Sequence, residues 1–329
     1  MRCINRNQIK KLIVLTLATA LLLTGCSSKE IAMAYDDKMP VSSFSISDIT
    51  DAEVAKSFAS DLCVTSADVL EGTDVDLSEA ASAGLFDLKN KKVLYAKNIH
   101  EKLYPASLTK VMTALVALKY GKLDDMITVT DNVSITESGA QLCGLEKGDQ
   151  LTLDQALHAL LINSANDAGV AIAEHVGGSL EGFAELMNQE AKLIGATNSH
   201  FVNPHGLSDN NHYVTAYDMY LIFNEAIQYE RFAEIIQTTT YDTIYKNSEG
   251  EEKTLSFQTT NQYLQGVYSA PGNVTVLGGK TGTTNAAGNC LILYSKDTQS
   301  NSYISVILRS KERAILYDQM TDILTEIGN

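Results

Sequence analysis

Tryptophan is absent from this 329-residue chain, and proline (4 residues) and cysteine (5 residues) are scarce. The Cys residues form no Cys-x-x-Cys pair, so neither a disulfide framework nor a zinc site is predicted. Basic residues are also few, because 25 Lys and Arg stand against 40 Asp and Glu, for a net charge of −15. A surface of this sign repels phosphates, which argues against binding nucleic acid and against docking on anionic lipid through a basic patch.

The hydrophobic content is that of a folded protein. Hydrophobic residues make up 45% of the chain and charged residues 20%, which excludes disorder of the whole chain. The length allows one large domain or two small ones, each able to bury a core.

The N-terminus carries a targeting pattern. Four basic residues within the first 11 positions precede an uninterrupted segment of apolar residues and Thr at 12–23, too short to span a bilayer but suited to a signal peptide. The following Leu23-Thr24-Gly25-Cys26 resembles the lipobox of bacterial lipoproteins, in which cleavage before the Cys leaves a diacylglyceryl group on its sulfur. We expect a lipoprotein signal peptide at 1–25 and lipidation of Cys26. An ordinary secretory peptide cut elsewhere and a short retained anchor are the alternatives.

An acidic segment follows the lipobox. Residues 27–82 are rich in Ser, Asp and Thr and have no long apolar stripe. We expect 26–82 to form a largely extended tether, with one short helix near 51–62, that carries a folded domain at 83–329 away from a membrane.

The folded part is predicted to contain a β-hairpin, followed by helices, then strands, and a last helix. Ala83–Asp87 and Val93–Lys97 flank a polar turn and predict the hairpin. Five helices are expected between them and the late strands, starting at or near Ser107, Thr152, Ala168, Leu180 and Thr215. The late strands are predicted at Val274–Gly279, Asn289–Ser295 and Tyr303–Leu308, and the closing helix at 313–327. Because the strand connections are too short for crossovers, the class is α+β, an antiparallel sheet covered by helices with a helical lobe inserted.

Ser107 and Lys110 are the first candidate catalytic pair. Three residues apart on a helix, they share one face. An amine activates a hydroxyl only when it is neutral, so the pKa of Lys110 must fall by about three units from 10.4. Burial at a helix start supplies the two causes, desolvation and the helix dipole. Taken alone, a capping Ser with a solvated Lys explains the pair as well.

Two further clusters carry polar chemistry. Ser164-Ala165-Asn166 lies between two helices, where a hydroxyl could relay a proton and an amide could bind a carbonyl; an N-cap is the simpler explanation. Lys280-Thr281-Gly282-Thr283 follows a strand ending in two glycines. Its cation and hydroxyls suit a carboxylate, and Gly282 allows close approach of a ligand to the backbone; a polar strand end is the alternative.

Together and in this order the three clusters are specific. Ser-x-x-Lys, Ser-x-Asn and Lys-Thr-Gly are the signature of penicillin-binding proteins and class A β-lactamases. The stretch Pro105–Thr113 resembles the nucleophile segment of the low-molecular-mass D-alanyl-D-alanine carboxypeptidases, and His205-Gly206-Leu207 resembles another of their recurrent stretches. The resemblance covers about 83–325 and implies a β-lactamase/transpeptidase-like fold.

The resemblance also implies an activity, the removal of the terminal D-Ala from peptidoglycan stem peptides. Ser107 would attack the penultimate carbonyl, Lys110 would act as the base, and Ser164 would pass the proton to the leaving amine. Water would then release the acyl-enzyme. Neither a metal nor a cofactor is required, and β-lactams would act as covalent inhibitors.

The remaining site residues would bind substrate. Asn166 would hold the peptide carbonyl, and the segment Lys280, Thr281, Gly282 and Thr283 would bind the terminal carboxylate. The backbone N–H groups of Ser107 and Thr283 would form the oxyanion hole. Some family members also use an Arg near the carboxylate, for which Arg309 and Arg313 are candidates. His205 is expected to be structural. The implied location is extracytoplasmic, at the bacterial cell membrane.

Two other functions compete with this one. A β-lactamase would need a Glu after the middle motif to speed deacylation. Glu181, Glu185 and Glu190 lie there but fall on a predicted helix, and class A enzymes have Ser-Asp-Asn where this chain has Ser-Ala-Asn. A non-catalytic, wall-peptide-binding lipoprotein would lack the nucleophile or the base, which are both present. Transpeptidation and endopeptidation stay open because they share the acyl-enzyme.

Overall fold

The computed structural model describes residues 59–70 and 75–328, in which nine strands and seven α-helices occur. The strands are β1 Ala80–Asp87, β2 Lys92–Lys97, β3 Met126–Thr128, β4 Gln150–Thr152, β5 Thr240–Lys246, β6 Glu252–Gln258, β7 Val274–Thr284, β8 Gly288–Asp297 and β9 Ser302–Ser310. The helices are α1 Thr109–Tyr120, α2 Leu153–Leu161, α3 Asn166–Gly177, α4 Leu180–Leu193, α5 Ala216–Ala226, α6 Glu230–Gln237 and α7 Arg313–Leu324.

The main sheet has five antiparallel strands in the order β2-β1-β9-β8-β7. The predicted hairpin is confirmed as β1 and β2, and its turn is held by Asp87, whose carboxylate accepts the N–H groups of Lys89 and Asn90. Strand β7 was predicted to end at Gly279 but continues to Thr284. The Lys280 segment therefore lies inside an edge strand of this sheet rather than after it.

The sheet is covered on both faces. Because successive residues of a strand point to opposite sides, each central strand contributes side chains to both cores. Along β8, Cys290 and Ile292 join the core that contains α1 and α5, whereas Leu291 and Leu293 pack with α7. Helix α1 is buried nearly all round, as its lack of a polar face predicts. The α+β class and the predicted antiparallel sheet are confirmed.

The inserted lobe contains more than helices. A second, four-stranded antiparallel sheet is formed by β3, β4, β5 and β6. Its strands were not among those predicted from the sequence. Two of these strands have only three residues, too few to show a period, and the other two are largely solvent-exposed. Helix α6 was also missed. The capping box at Thr152 is present and begins α2 as predicted.

The folded body begins earlier than the predicted boundary at residue 83. Strand β1 starts at Ala80, and within the predicted tether Cys63 is buried. The Cys63 N–H donates to Tyr220 Oη at 2.9 Å, and Tyr217 Oη donates to the Cys63 carbonyl at 3.0 Å. The segment docks through these backbone groups and through packing of Cys63, Leu62 and Val69 against the core. Backbone hydrogen bonds of this kind leave no hydrophobic pattern in the sequence. Within the described ranges no helix combines the length and hydropathy needed to cross a membrane. The signal peptide, Cys26 and residues 51–58 of the helix predicted near 51–62 lie outside the described residues. The described end of that segment, 59–62, forms a turn.

Candidate active site

Ser107 and Lys110 meet at the start of α1. Ser107 sits in a short 3-10 turn, Ala106–Leu108, and the Lys110 Nζ donates to its Oγ at 2.9 Å. The residue before the nucleophile, Ala106, has φ = 48°, a left-handed conformation that costs a non-glycine residue about 1–2 kcal/mol. Ser107 is half-exposed at this turn, whereas Lys110 is fully buried.

The Lys110 amine has three acceptors. Besides Ser107 Oγ, it donates to Asn166 Oδ1 at 2.6 Å and to the His205 carbonyl at 2.8 Å. Burial, and then the nearby charge of Lys280, lowers the pKa of Lys110 well below that of a free amine, whereas the Asp167 carboxylate opposes the shift. The lowered pKa that a base requires is thus present, with burial as its main cause. The charge of Lys280 adds to it, although the two lysines are far apart in sequence.

Ser164 and Asn166 enter the same cluster from the loop that begins α3. Ser164 has φ = 61° and its Oγ accepts a hydrogen bond from Lys280 Nζ at 2.9 Å. Asn166 is the first residue of α3, and its backbone N–H donates to the Gln141 carbonyl. The simple N-cap explanation fails, because the cap position is Ala165 and no side chain caps this helix.

Strand β7 brings Lys280 from the opposite side. Its buried amine donates to Ser164 Oγ and to the Thr281 carbonyl, and burial lowers the pKa of Lys280 to about 7. Thr281 Oγ1 shares a 2.6 Å hydrogen bond with Thr260 Oγ1. Gly282 lies against the nucleophile turn, since a Cβ there would be 2.9 Å from the Ser107 nitrogen. Thr283 is exposed and its hydroxyl donates to Asn289 Oδ1.

Two cavities flank Ser107. One, of about 470 Å³, is also lined by Ser164, Thr281, Thr283 and Arg313, and the other, of about 510 Å³, by the residues Glu137, Asn166, His205 and Asn285 among others. A larger cavity of about 720 Å³ lies elsewhere, beside Leu88 and Tyr294, and contains none of the clustered residues. The clustered residues therefore line the two cavities on either side of Ser107 and not this larger one.

The two arginine candidates separate in space. Arg313 lines the Ser164 side of the site, whereas Arg309 lines a small cavity with Lys102 and Tyr104. The glutamates that would serve a β-lactamase lie on α4, and none of them lines either cavity beside Ser107. Glu190 is buried and paired with Lys119 at 2.7 Å.

Several residues of the site were not found from the sequence. The Asp167 carboxylate accepts the backbone N–H groups of Cys143, Gly144 and Leu145, which fixes the loop bordering both cavities. His205 was expected to be structural; its imidazole accepts the Leu207 N–H, but its backbone carbonyl binds Lys110. A backbone carbonyl is present in every residue, so the sequence does not show which carbonyl binds the lysine. The only indication was that His205 belongs to the recurrent His-Gly-Leu stretch. Among the described cysteines, Cys63, Cys143 and Cys290 are unpaired.

The chain is similar to known proteins in sequence and in fold. The profile of the D-alanyl-D-alanine carboxypeptidase family matches residues 64–312. The D-alanyl-D-alanine carboxypeptidase DacF of Bacillus subtilis is 38% identical over 253 residues, which are 74% of this chain and 61% of that protein. DacC of Escherichia coli is 36% identical over 251 residues, 73% of this chain and 59% of that protein. The chain thus spans about three fifths of the length of these relatives.

A solved structure shares the fold. The crystal structure of a Streptomyces DD-transpeptidase superposes with a TM-score of 0.70 at 25% sequence identity, covering 75% of this chain and 96% of the other. The β-lactamase/transpeptidase-like architecture expected from the motifs is therefore confirmed.

Proposed function

The chain belongs to the D-alanyl-D-alanine carboxypeptidase family, and from that premise we propose that it removes the terminal D-Ala from peptidoglycan stem peptides through an acyl-enzyme on Ser107. One observation carries the proposal: the fully buried Lys110 amine, its pKa lowered, lies 2.9 Å from Ser107 Oγ. In the neutral form the same contact lets Nζ accept the hydroxyl proton, which activates the oxygen as a nucleophile.

Acylation follows from this contact. Ser107 Oγ forms a bond to the penultimate carbonyl carbon while its proton passes to Lys110 Nζ. Collapse of the tetrahedral intermediate breaks the C–N bond to the last residue, and Ser164 relays the proton to the departing amine of D-Ala. Lys280 orients the Ser164 hydroxyl through its 2.9 Å hydrogen bond. Water, deprotonated by the same base, then cleaves the ester and restores Ser107.

Substrate binding uses both sides of Ser107. The terminal carboxylate is held by Lys280, Thr281 and Thr283, with Arg313 as a further cation on that side of the cleft. Asn166 holds the peptide carbonyl, and its Oδ1 at the same time fixes Lys110. The developing oxyanion accepts from the N–H groups of Ser107 and Thr283; losing one such donor typically costs about 10²–10³ in rate.

The proposal is tested by measuring D-Ala release from a D-Ala-D-Ala peptide beside hydrolysis of penicillin. We expect D-Ala release, and one covalent equivalent of penicillin on Ser107 that persists for minutes or longer. Ser107→Ala abolishes both, and labelling that survives this substitution refutes the nucleophile assignment. Lys110→Ala suppresses acylation without unfolding the domain; near-normal acylation removes Lys110 as the base.

The same assay separates the rival functions. Rapid turnover of penicillin without D-Ala release identifies a β-lactamase, although no glutamate of α4 lines the site to assist it. Absence of both reactions in a folded protein identifies a wall-peptide-binding protein. Adding a peptide amine or a cross-linked peptide to the assay distinguishes transpeptidase and endopeptidase action from carboxypeptidase action, because only the acceptor or leaving amine differs.

We further propose that Cys26 carries a diacylglyceryl group that anchors the enzyme outside the cytoplasm. The support is the sequence alone: the basic start, the apolar run at 12–23 and the Leu23–Cys26 lipobox. With a net charge of −15, the chain has no basic surface excess to hold it on anionic lipid, so a lipid is the natural attachment.

A further inference from the structure

Thr109 and His212 form a buried pair next to the nucleophile that the catalytic cycle above does not use. Thr109 is the second residue after Ser107, and His212 lies on the segment that leads into α5. Thr109 Oγ1 is 2.8 Å from His212 Nε2 and 2.9 Å from the Ala106 carbonyl. Both side chains are excluded from solvent. The two side chains are therefore a buried polar contact directly beside the nucleophile turn.

The hydrogen bonds of this pair run in one direction. The Val202 N–H donates to His212 Nδ1 at 3.1 Å, so Nδ1 carries no proton and the hydrogen of the neutral ring is on Nε2. Burial lowers the pKa of His212 to about 4, which keeps the ring neutral at physiological pH. The Nε2–H therefore donates to Thr109 Oγ1, and the Thr109 hydroxyl donates in turn to the Ala106 carbonyl.

This series of hydrogen bonds ends on the peptide group that precedes the nucleophile. The Ala106 carbonyl and the Ser107 N–H belong to the same planar unit. A hydrogen bond accepted by the oxygen fixes the plane of that unit and polarises its N–H, which strengthens it as a donor. Ala106 holds this peptide in a strained left-handed conformation, with φ = 48°. Its carbonyl also accepts the Thr109 backbone N–H, so the Thr109 hydroxyl adds a second hydrogen bond to the same oxygen.

We propose that Thr109 and His212 are positioning residues for the oxyanion hole, holding the Ala106–Ser107 peptide so that the Ser107 N–H points at and stabilises the oxyanion. The inference rests on the proposed function, since it assigns a role within that acylation step. Thr109 occupies an unspecified position of the Ser-x-x-Lys cluster, and His212 lies outside all three clusters. Neither residue lines the two cavities beside Ser107.

The experiment compares a D-Ala-D-Ala peptide substrate with its thiono analogue, in which sulfur replaces the oxygen of the attacked carbonyl. Sulfur is a poor acceptor, so an intact oxyanion hole favours the oxygen substrate. We expect Thr109→Val to lower kcat/KM on the oxygen substrate about tenfold, a part of the 10²–10³ lost when a donor is removed, and to lower it much less on the thiono analogue. Thr109→Ser, which keeps the hydroxyl, restores the wild-type preference for oxygen.

Thr113→Val is the matched control. Thr113 lies one turn further along α1, is equally buried, and donates its hydroxyl to the Pro204 carbonyl at 2.6 Å. It should leave the oxygen preference unchanged whatever it does to stability. His212→Asn is a second variant, because its Oδ1 keeps an acceptor for Val202 while the donor to Thr109 is lost; it should reproduce the Thr109→Val change.

Three outcomes decide the matter. A smaller oxygen preference in Thr109→Val or His212→Asn, but not in Thr113→Val, supports the inference. An equal loss on both substrates shows that the pair only packs the turn and overturns it. If the wild-type protein releases no D-Ala at all, the proposed function fails, and that failure is visible before any variant is compared.

Discussion

Lys110 and Lys280 are two buried amines within one polar cluster. Taking an ammonium out of water costs several kcal/mol, and two like charges at short range add to that cost. The pKa of Lys280 falls to about 7 through burial, and that of Lys110 falls through burial and the charge of Lys280. The arrangement favours a cluster with a single charge. In the proposed mechanism, a neutral Lys110 then serves as the base while a protonated Lys280 faces the terminal carboxylate of the substrate.

This coupling predicts the pH dependence of acylation. Because only neutral Lys110 is a base, the rate of penicillin acylation rises as the pH passes through the lowered pKa of Lys110. Lys280→Gln removes the neighbouring positive charge, so the pKa of Lys110 rises and the ascending limb moves to higher pH. The measurement is the acylation rate as a function of pH, up to about pH 10, near the pKa of a free lysine amine.

Lys280→Arg is the control, since its charge is permanent and the limb should stay at or below its wild-type position. A limb that does not move in Lys280→Gln would mean that Lys280 does not tune the base. The absolute rate is expected to fall in both variants, because Lys280 also holds Ser164, so only the midpoint is informative.

Three backbone segments approach one another closely around Ser107: the 3-10 turn, strand β7 and the loop 204–206. Glycines stand where the backbones touch. A Cβ on Gly282 would lie 2.9 Å from the Ser107 nitrogen, and one on Gly206 would lie 1.8 Å from the Ala106 oxygen. Gly206 also has φ = 91°. The close approach at Gly206 lets the loop bring the His205 carbonyl to Lys110. The distances between these segments therefore depend on glycine at both positions.

Gly206→Ala should therefore harm the site as well as the fold. We expect a loss of unfolding free energy well above the roughly 1–2 kcal/mol that a left-handed conformation costs a non-glycine residue, together with a large loss of penicillin acylation. Urea unfolding and acylation kinetics measure the two effects. The new methyl group collides with the Ala106 carbonyl, which must move and carry Ser107 with it.

Gly266→Ala separates backbone strain from the collision. Gly266 has φ = 74°, and no heavy atom lies within 4 Å of a Cβ built there. It should lose only the strain energy and keep normal acylation. Equal behaviour of the two alanine variants would show that the contact with Ala106 has no consequence.

The five-stranded sheet and the inserted lobe meet at the active site, and part of the N-terminal segment packs on the same body. Besides Cys63, Val69 pairs with Ala96 of β2 through two backbone hydrogen bonds of 2.8 and 2.9 Å. The folded body therefore includes described residues as far towards the N-terminus as Cys63. Any extended tether is shorter than the segment 26–82 predicted from composition.

Alkylation of cysteine tests this docking. Burial raises the pKa of Cys63 to about 11, as it does that of Cys290 in the sheet core. Because the thiolate is the reactive form, both should resist iodoacetamide in the native protein and react readily in urea, as followed by peptide mass spectrometry. If Cys63 reacts equally fast in both conditions while Cys290 stays protected, the segment is not docked.

Membrane attachment is tested on the intact precursor. Cys26→Ser should release the protein from the membrane fraction into the medium, because the acceptor of the lipid is lost. Cys63→Ser is the control and should leave the protein attached. Unchanged retention of Cys26→Ser would count against lipidation and favour a retained N-terminal anchor.

The sequence by itself determined what depends on neighbours along the chain. The hairpin at β1 and β2 and the cap at Thr152 follow from strand alternation and local hydrogen bonds, which a short window contains. The contact of Ser107 with Lys110 follows from their three-residue spacing, although Ser107 lies in the 3-10 turn that precedes α1. The tertiary structure decided the rest. Lys280 contacts Ser164, which is 116 residues away in sequence. Lys110 donates a hydrogen bond to the His205 carbonyl, and His212 contacts Thr109 from another segment. Desolvation, and with it the pKa of each buried amine, arises only when separate elements pack together, so no local pattern could contain it.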